Sequence, residues 1–91
     1  MAKFVAILTF ANDEATRLAT RPKHREYLSG LFQQGKIAAS GPFVDDTGAL
    51  LIYEAADEVE ARALIAADPY TPAGVVADLQ LKEWKQVLPP S

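Results

Sequence analysis

The segment RPKHREYL, Arg21 to Leu28, holds the only histidine of the chain. His24 precedes Tyr27, Leu28 and Leu31 by three, four and seven residues. In a helix, that spacing turns the imidazole inward, onto the apolar stripe. A buried imidazole needs partners for its ring nitrogens. Bonded to a backbone carbonyl, it is an ordinary core residue. Bonded to a carboxylate, its tautomer is fixed, and the other nitrogen can take a proton near neutral pH. Asp68, in the segment ADPY, is the candidate carboxylate. It stands where a second helix should end, a place that the helix dipole makes unfavourable for an anion. A solvated helix stop would explain it, and so would a hydrogen bond from His24. We adopt the pairing, which makes His24 and Asp68 the candidate catalytic residues. We also expect His24 in the first helical turn, where the positive helix end favours a neutral ring.

Other residues could serve the same site. Arg21 is either a solvated helix-start residue or a clamp for a substrate carboxylate, whose geometry a guanidinium matches. Ser40 lacks a G-x-S-x-G elbow, so a polar contact is expected of it rather than nucleophilic attack. Gly41 and Pro42 follow it, and backbone N–H groups near Gly41 could face a developing oxyanion. Tyr70 can bond a ligand or close a pocket wall. Phe10 and Phe43 either line an apolar cleft or fill the core. Asp45 and Asp46 read as turn formers, one of which could also reach the pocket, and Trp84 reads as packing.

These residues need elements to position them. KFVAILTF, Lys3 to Phe10, is apolar on both faces and reads as a buried central strand. ANDEATRLAT reads mostly as a loop. A helix then opens with Thr20 as N-cap and Pro22 in its first turn, and Gly35 ends it. Lys36 to Phe43 reads as a second strand, at a sheet edge because Pro42 cannot donate to a ladder. The turn residues VDDTG lead into ALLIYE, a second doubly apolar strand. Asp57 and Glu60 resemble a capping box for a helix through Ala61, Leu64 and Ile65, which Asp68–Pro69 stops. Val75 to Val87 alternates and reads as a charged edge strand.

The order β-α-β-β-α-β implies an α+β, ferredoxin-like domain with antiparallel sheet order 4-1-3-2. Both helices then cover one face of the sheet. The other face must expose one apolar set of the first strand, Phe4, Ala6 and Leu8 or Val5 and Ile7. We expect that face to pair with a second copy, giving a homodimer that light scattering should detect. The same routing carries Phe10, His24, Gly41–Pro42, Asp45–Asp46 and Asp68–Tyr70 to one rim.

Composition bounds the rest. The chain has 91 residues, 49% of them apolar, which suits a single domain over residues 1–88 with a tail at 89–91. It has no cysteine, which excludes disulfides, thiolate nucleophiles and Cys-ligated clusters, and one histidine argues against a His-rich metal centre. We therefore expect no metal and no cofactor. Net charge is −3, with no Lys/Arg-rich run, so no nucleic-acid partner is expected. No apolar run reaches membrane-spanning length and no signal-peptide pattern opens the chain, so a cytoplasmic location is expected.

R-x-x-H-x-x-Y-L (Arg21, His24, Tyr27, Leu28), Gly35, Gly41–Pro42, Gly48, Glu54–Ala55, Asp68–Pro69–Tyr70, Ala73–Gly74 and Trp84, in that order, resemble the YciI-like (YCII-related) proteins. The resemblance spans nearly the whole chain. It implies a dimeric ferredoxin-like α+β barrel and a pocket with a His–Asp pair, which carries over onto His24 and Asp68. The family includes a dehydrochlorinase of chloroaromatic breakdown and is similar in fold to muconolactone isomerases. Family members often carry Ser where this chain has Ala49, so no hydroxyl role is carried over there.

Two functions are compatible with these readings. One is a cofactor-independent enzyme in which His24, oriented by Asp68, abstracts a proton beside a carbonyl or lactone, for elimination or isomerisation. The other is a dimeric module that binds or senses a small acidic or aromatic metabolite without chemistry.

Overall fold

The computed structural model describes residues 1–90. Its elements are β1 (Ala2–Phe10), α1 (Glu14–Gln33), β2 (Ile37–Pro42), β3 (Gly48–Ala55), α2 (Glu58–Ala66) and β4 (Val76–Trp84). The strands form one sheet in the order β2-β3-β1-β4, with every neighbouring pair antiparallel. This is the ferredoxin-like α+β arrangement, with the two doubly apolar strands at its centre. β4 ends at Trp84, three residues short of the expected Val87. Of the expected tail, Ser91 lies outside the described residues.

The first helix departs from expectation. It begins at Glu14, so ANDEATRLAT is mostly helix rather than loop. Asp13 is the N-cap: its carboxylate accepts from the Thr16 backbone N–H at 3.1 Å and from the Thr16 hydroxyl at 2.7 Å. Thr20 is interior and donates its hydroxyl back to the Thr16 carbonyl at 2.8 Å. Pro22 is interior too. Proline fits a first turn so well that its presence suggested one, but α1 runs through it, with Arg17 buried before it and His24, Leu28 and Leu31 buried after it. The start at Glu14 puts His24 nearly three turns in, roughly 15 Å along the axis. The positive helix end does not reach that far, so the imidazole lies outside the first-turn influence expected for it.

The other helix boundaries follow from their caps. At Gly35, with φ 74°, the chain leaves α1 in the left-handed region that glycine enters freely. Gly35 donates to the Phe32 carbonyl and Lys36 to the Leu31 carbonyl, a Schellman motif. Asp57 caps α2 by accepting from the Glu60 N–H at 2.9 Å, and the Glu60 carboxylate returns to the Ala56 N–H at 3.1 Å.

Alternation along the strands decides the two faces. Phe4, Ala6, Leu8, Leu51 and Tyr53 are buried beneath Leu28 and Leu31 of α1 and Ala61 and Ile65 of α2. Val5, Ile7, Leu50 and Ile52 have the opposite parity and, with Trp84, line the other face. No element among the described residues covers that face. Ile7 is 36% and Trp84 42% exposed, so the packing expected of Trp84 is on this open face and not in the core. At Gly48, β1 and β3 approach so closely that a Cβ would stand 1.9 Å from the Leu8 carbonyl oxygen. No helix of the described residues is long and apolar enough to cross a membrane.

Candidate functional site

A cavity of about 240 Å³ lies between α1 and the β2–β3 half of the sheet. From α1 it receives Arg17, Arg21, His24, Arg25 and Leu28, all on one helical face by their spacing. Ser40, Gly41 and Pro42 of β2 form the opposite wall, with Ala49 and Leu51 of β3. Phe10 from the end of β1, Tyr70 and Asp46 complete the lining.

His24 is 8% exposed and Asp68 2%. The imidazole Nδ1 lies 2.8 Å from both carboxylate oxygens of Asp68. A carboxylate accepts only, so the ring proton is on Nδ1 and the unprotonated nitrogen of the neutral ring is Nε2. Nδ1 is turned to Asp68, which leaves Nε2 toward the cavity that His24 lines.

The segment ADPY builds the carboxylate's position. Asp68 follows the C-cap of α2 and opens a turn: its carbonyl accepts from the Thr71 N–H at 2.9 Å, with Pro69 in the second position where its fixed φ belongs. Oδ1 also accepts from the Tyr70 N–H at 2.9 Å, which fixes the side-chain rotamer. The dipole of α2 opposes this anion, and the two N–H donors offset that cost. Tyr70 then folds over the imidazole. The two rings are stacked, with centroids 3.8 Å apart and planes at 7°. Phe10 meets the edge of Tyr70 at 6.1 Å. The Tyr27 hydroxyl donates to the Leu64 carbonyl at 2.6 Å and ties α1 to α2 beside the pair. Burial raises the Tyr70 hydroxyl pKa, and the guanidiniums of Arg17, Arg21 and Arg25 draw it back part of the way.

Each candidate from the sequence has a definite place. Arg21, His24, Ser40, Gly41, Pro42, Tyr70 and Phe10 line the cavity, and Asp68 stands behind His24 without lining it. Asp45 is a turn former, accepting from the Thr47 N–H and hydroxyl, and these bonds hold its carboxyl below the usual range. Asp46 reaches the cavity, with a φ of 65° that aspartate tolerates better than most residues. Phe43, 36% exposed, lines no part of this cavity. Arg17 and Arg25 were missed. The signal for both was there, since they stand seven residues before and one after His24 in a helix that carries Arg21 between them. Reading residues 11–20 as loop removed Arg17 from the helical face.

The YCII-related domain matches residues 2–85 of the chain. The protein YciI of Escherichia coli O6:H1 is 34% identical over 92 aligned positions, covering 86% of this chain and 94% of that protein. The uncharacterised YjpA of Bacillus subtilis is 37% identical over 62 positions, covering 68% and 72%. Among solved structures, the 5-chloro-2-hydroxyhydroquinone dehydrochlorinase TftG of Burkholderia phenoliruptrix AC1100, in complex with 2,5-dihydroxybenzoquinone, superposes with a TM-score of 0.83 at 26% identity over 98% of this chain and 99% of that one. With the family pattern running from the first strand to the last, this chain belongs to the YCII-related domain family.

Proposed function

We propose that this chain is a small cofactor-independent enzyme, lyase- or isomerase-like, in which His24 is the base and Asp68 its positioning residue. The observation that carries the reading is the buried imidazole, held through Nδ1 by Asp68 with Nε2 left toward a lined cavity. Nε2 takes a proton from a carbon beside a carbonyl. The electron pair released forms a double bond, and the carbonyl oxygen carries the developing negative charge. In an elimination, a leaving group such as chloride departs with its bonding pair. In an isomerisation, the imidazolium returns the proton to another carbon. Arg21 and the backbone at Gly41 face that charge across the cavity.

The likeness to TftG supports both a dehydrochlorinase-like reaction and an oxygen-rich single-ring substrate, of the kind that aromatic breakdown yields. A cavity of about 240 Å³ agrees with that size, since roughly 150 Å³ holds benzene. We further propose a cytoplasmic homodimer, paired through the open sheet face. Val5, Ile7, Leu50, Ile52 and Trp84 form an apolar surface there that a second copy would cover.

Chloride release or product formation, assayed by chromatography over a panel of single-ring hydroxyquinones and lactones, tests the reaction. On any substrate turned over by the wild type, His24→Ala should lose at least about 10²-fold in kcat. Full turnover by that variant removes the base role. Tight, saturable binding with every probe recovered unchanged points to a binding module instead.

A further inference from the structure

Arg17 is a charged side chain buried to a degree that such groups reach only when paired. Its side chain is 8% exposed, yet the pairing it has is weak. Asp46 Oδ1 stands 3.8 Å from Nη1, beyond hydrogen-bonding reach, and the Asp46 side chain is 67% exposed, where water screens the attraction. The Phe10 ring, 4.7 Å from Cζ, offers its π face but no lone pair. No fully buried side-chain nitrogen among the described residues lacks a hydrogen-bond partner, so the Arg17 donors that the protein leaves unused are not sealed off, and Arg17 lines the cavity.

Arg21 and Arg25 follow one and two helical turns on and line the same cavity. All three guanidiniums act on the Tyr70 hydroxyl, so their charges converge on one side of the site. Asp46 is the one carboxylate in the lining, in a chain whose net charge is −3. The cavity is thus locally cationic in an acidic protein.

We propose that Arg17, with Arg21, forms an anion-binding end of the cavity for a carboxylate or an equivalent two-oxygen anion carried on a single ring, and that Asp46 stands in for that anion until the ligand displaces it. This deepens the reading above by naming a ligand class for the same cavity. A planar guanidinium presents paired donors to two oxygens, which an Asp46 carboxylate at 3.8 Å does not engage. Because the Arg17–Asp46 pair is exposed on its acidic side, little is lost when it parts.

Benzoate and benzamide share a ring and differ in charge, and calorimetric titration with each tests the proposal. The wild type should bind benzoate about tenfold or more tightly than benzamide, with the difference shrinking as salt rises. Asp46→Asn keeps a residue that tolerates the left-handed turn and should tighten benzoate more than benzamide, widening the ratio between them. Arg17→Met should abolish the preference and Arg17→Lys should keep part of it; if the former does not fold, the latter and Asp46→Asn carry the test. Equal binding of the two probes, no benzoate binding at millimolar concentration, or weaker benzoate binding by Asp46→Asn overturns the proposal. The His24→Ala turnover assay bears on proton transfer alone, and the benzoate-to-benzamide ratio on the anion alone, so either reading can fail without the other.

Discussion

Asp68→Asn changes one oxygen to an amide nitrogen and leaves the volume nearly unchanged. In the wild type, both carboxylate oxygens lie 2.8 Å from Nδ1 of His24, and Oδ1 also accepts from the Tyr70 N–H. In the variant, the amide oxygen satisfies one donor and the NH₂ group faces the other. If the oxygen stays on the Tyr70 N–H, two donors confront each other at Nδ1. The cheapest relief is a switch of the ring to the Nε2–H tautomer, in which Nδ1 accepts from the amide. Losing a charge-assisted buried hydrogen bond costs about 1.5–3 kcal/mol, and removing an anion from the α2 C-terminus returns about 0.3–1 kcal/mol. The net loss is about 2 kcal/mol, or roughly 10 °C in Tm for a domain of this size. The assay is direct because the chain has a single histidine. Long-range ¹H–¹⁵N NMR of the imidazole reads its tautomer without assignment ambiguity, and thermal unfolding reads the stability. The wild type should show Nδ1–H and the variant Nε2–H, and turnover should fall on the order of 10²–10⁴-fold because the base nitrogen is then blocked. An unchanged tautomer with Tm within about 2 °C of wild type would refute the role given to Asp68.

Gly48→Ala should destabilise by roughly 3 kcal/mol or more, because the added Cβ meets the Leu8 carbonyl and neither strand can give way without breaking the β1–β3 ladder; urea unfolding within about 0.5 kcal/mol of wild type would contradict this. Burial first, then the Asp68 and Tyr27 charges, holds the Tyr53 hydroxyl far above the ordinary tyrosine range. The unfolded chain therefore gives up that proton first, so the stability from Tyr53 is complete below about pH 10 and drains away above it, at up to ~1.4 kcal/mol per pH unit. Tyr53→Phe should flatten part of the alkaline decline in urea-derived stability, with Tyr27 and Tyr70, shifted the same way, keeping the remainder. Ile52→Lys on the open sheet face should halve the mass measured by light scattering at micromolar concentration; a wild type already monomeric there would count against the homodimer.

Much of the architecture could be read locally. Strands β1 and β3 declare themselves by being apolar at both parities, which marks them as the central strands of the sheet. Gly35, Asp57 and Asp68–Pro69 mark chain reversals through backbone chemistry that operates within a few residues. The beginning of α1 was hidden because two local signals compete there. Asp13 caps a helix, but Thr20 and Pro22 imitate a later start. Which signal wins depends on whether the intervening turns find something to pack against, and that is a property of the sheet.

The site divides along the same line. Residue types and spacing determined that one imidazole faces inward, that a turn-forming aspartate lies at the end of a second helix, and that no thiolate chemistry is open to this chain. Only the tertiary structure decided that these two groups meet, 44 residues apart in sequence, and that Tyr70 stacks on the ring. It also decided that Arg17 is buried over Phe10 instead of extended into solvent. Hydrogen-bond caps and alternation act over a few residues and are written in the local sequence. The burial and partners of a charged group depend on what the rest of the chain brings beside it, which no local pattern encodes.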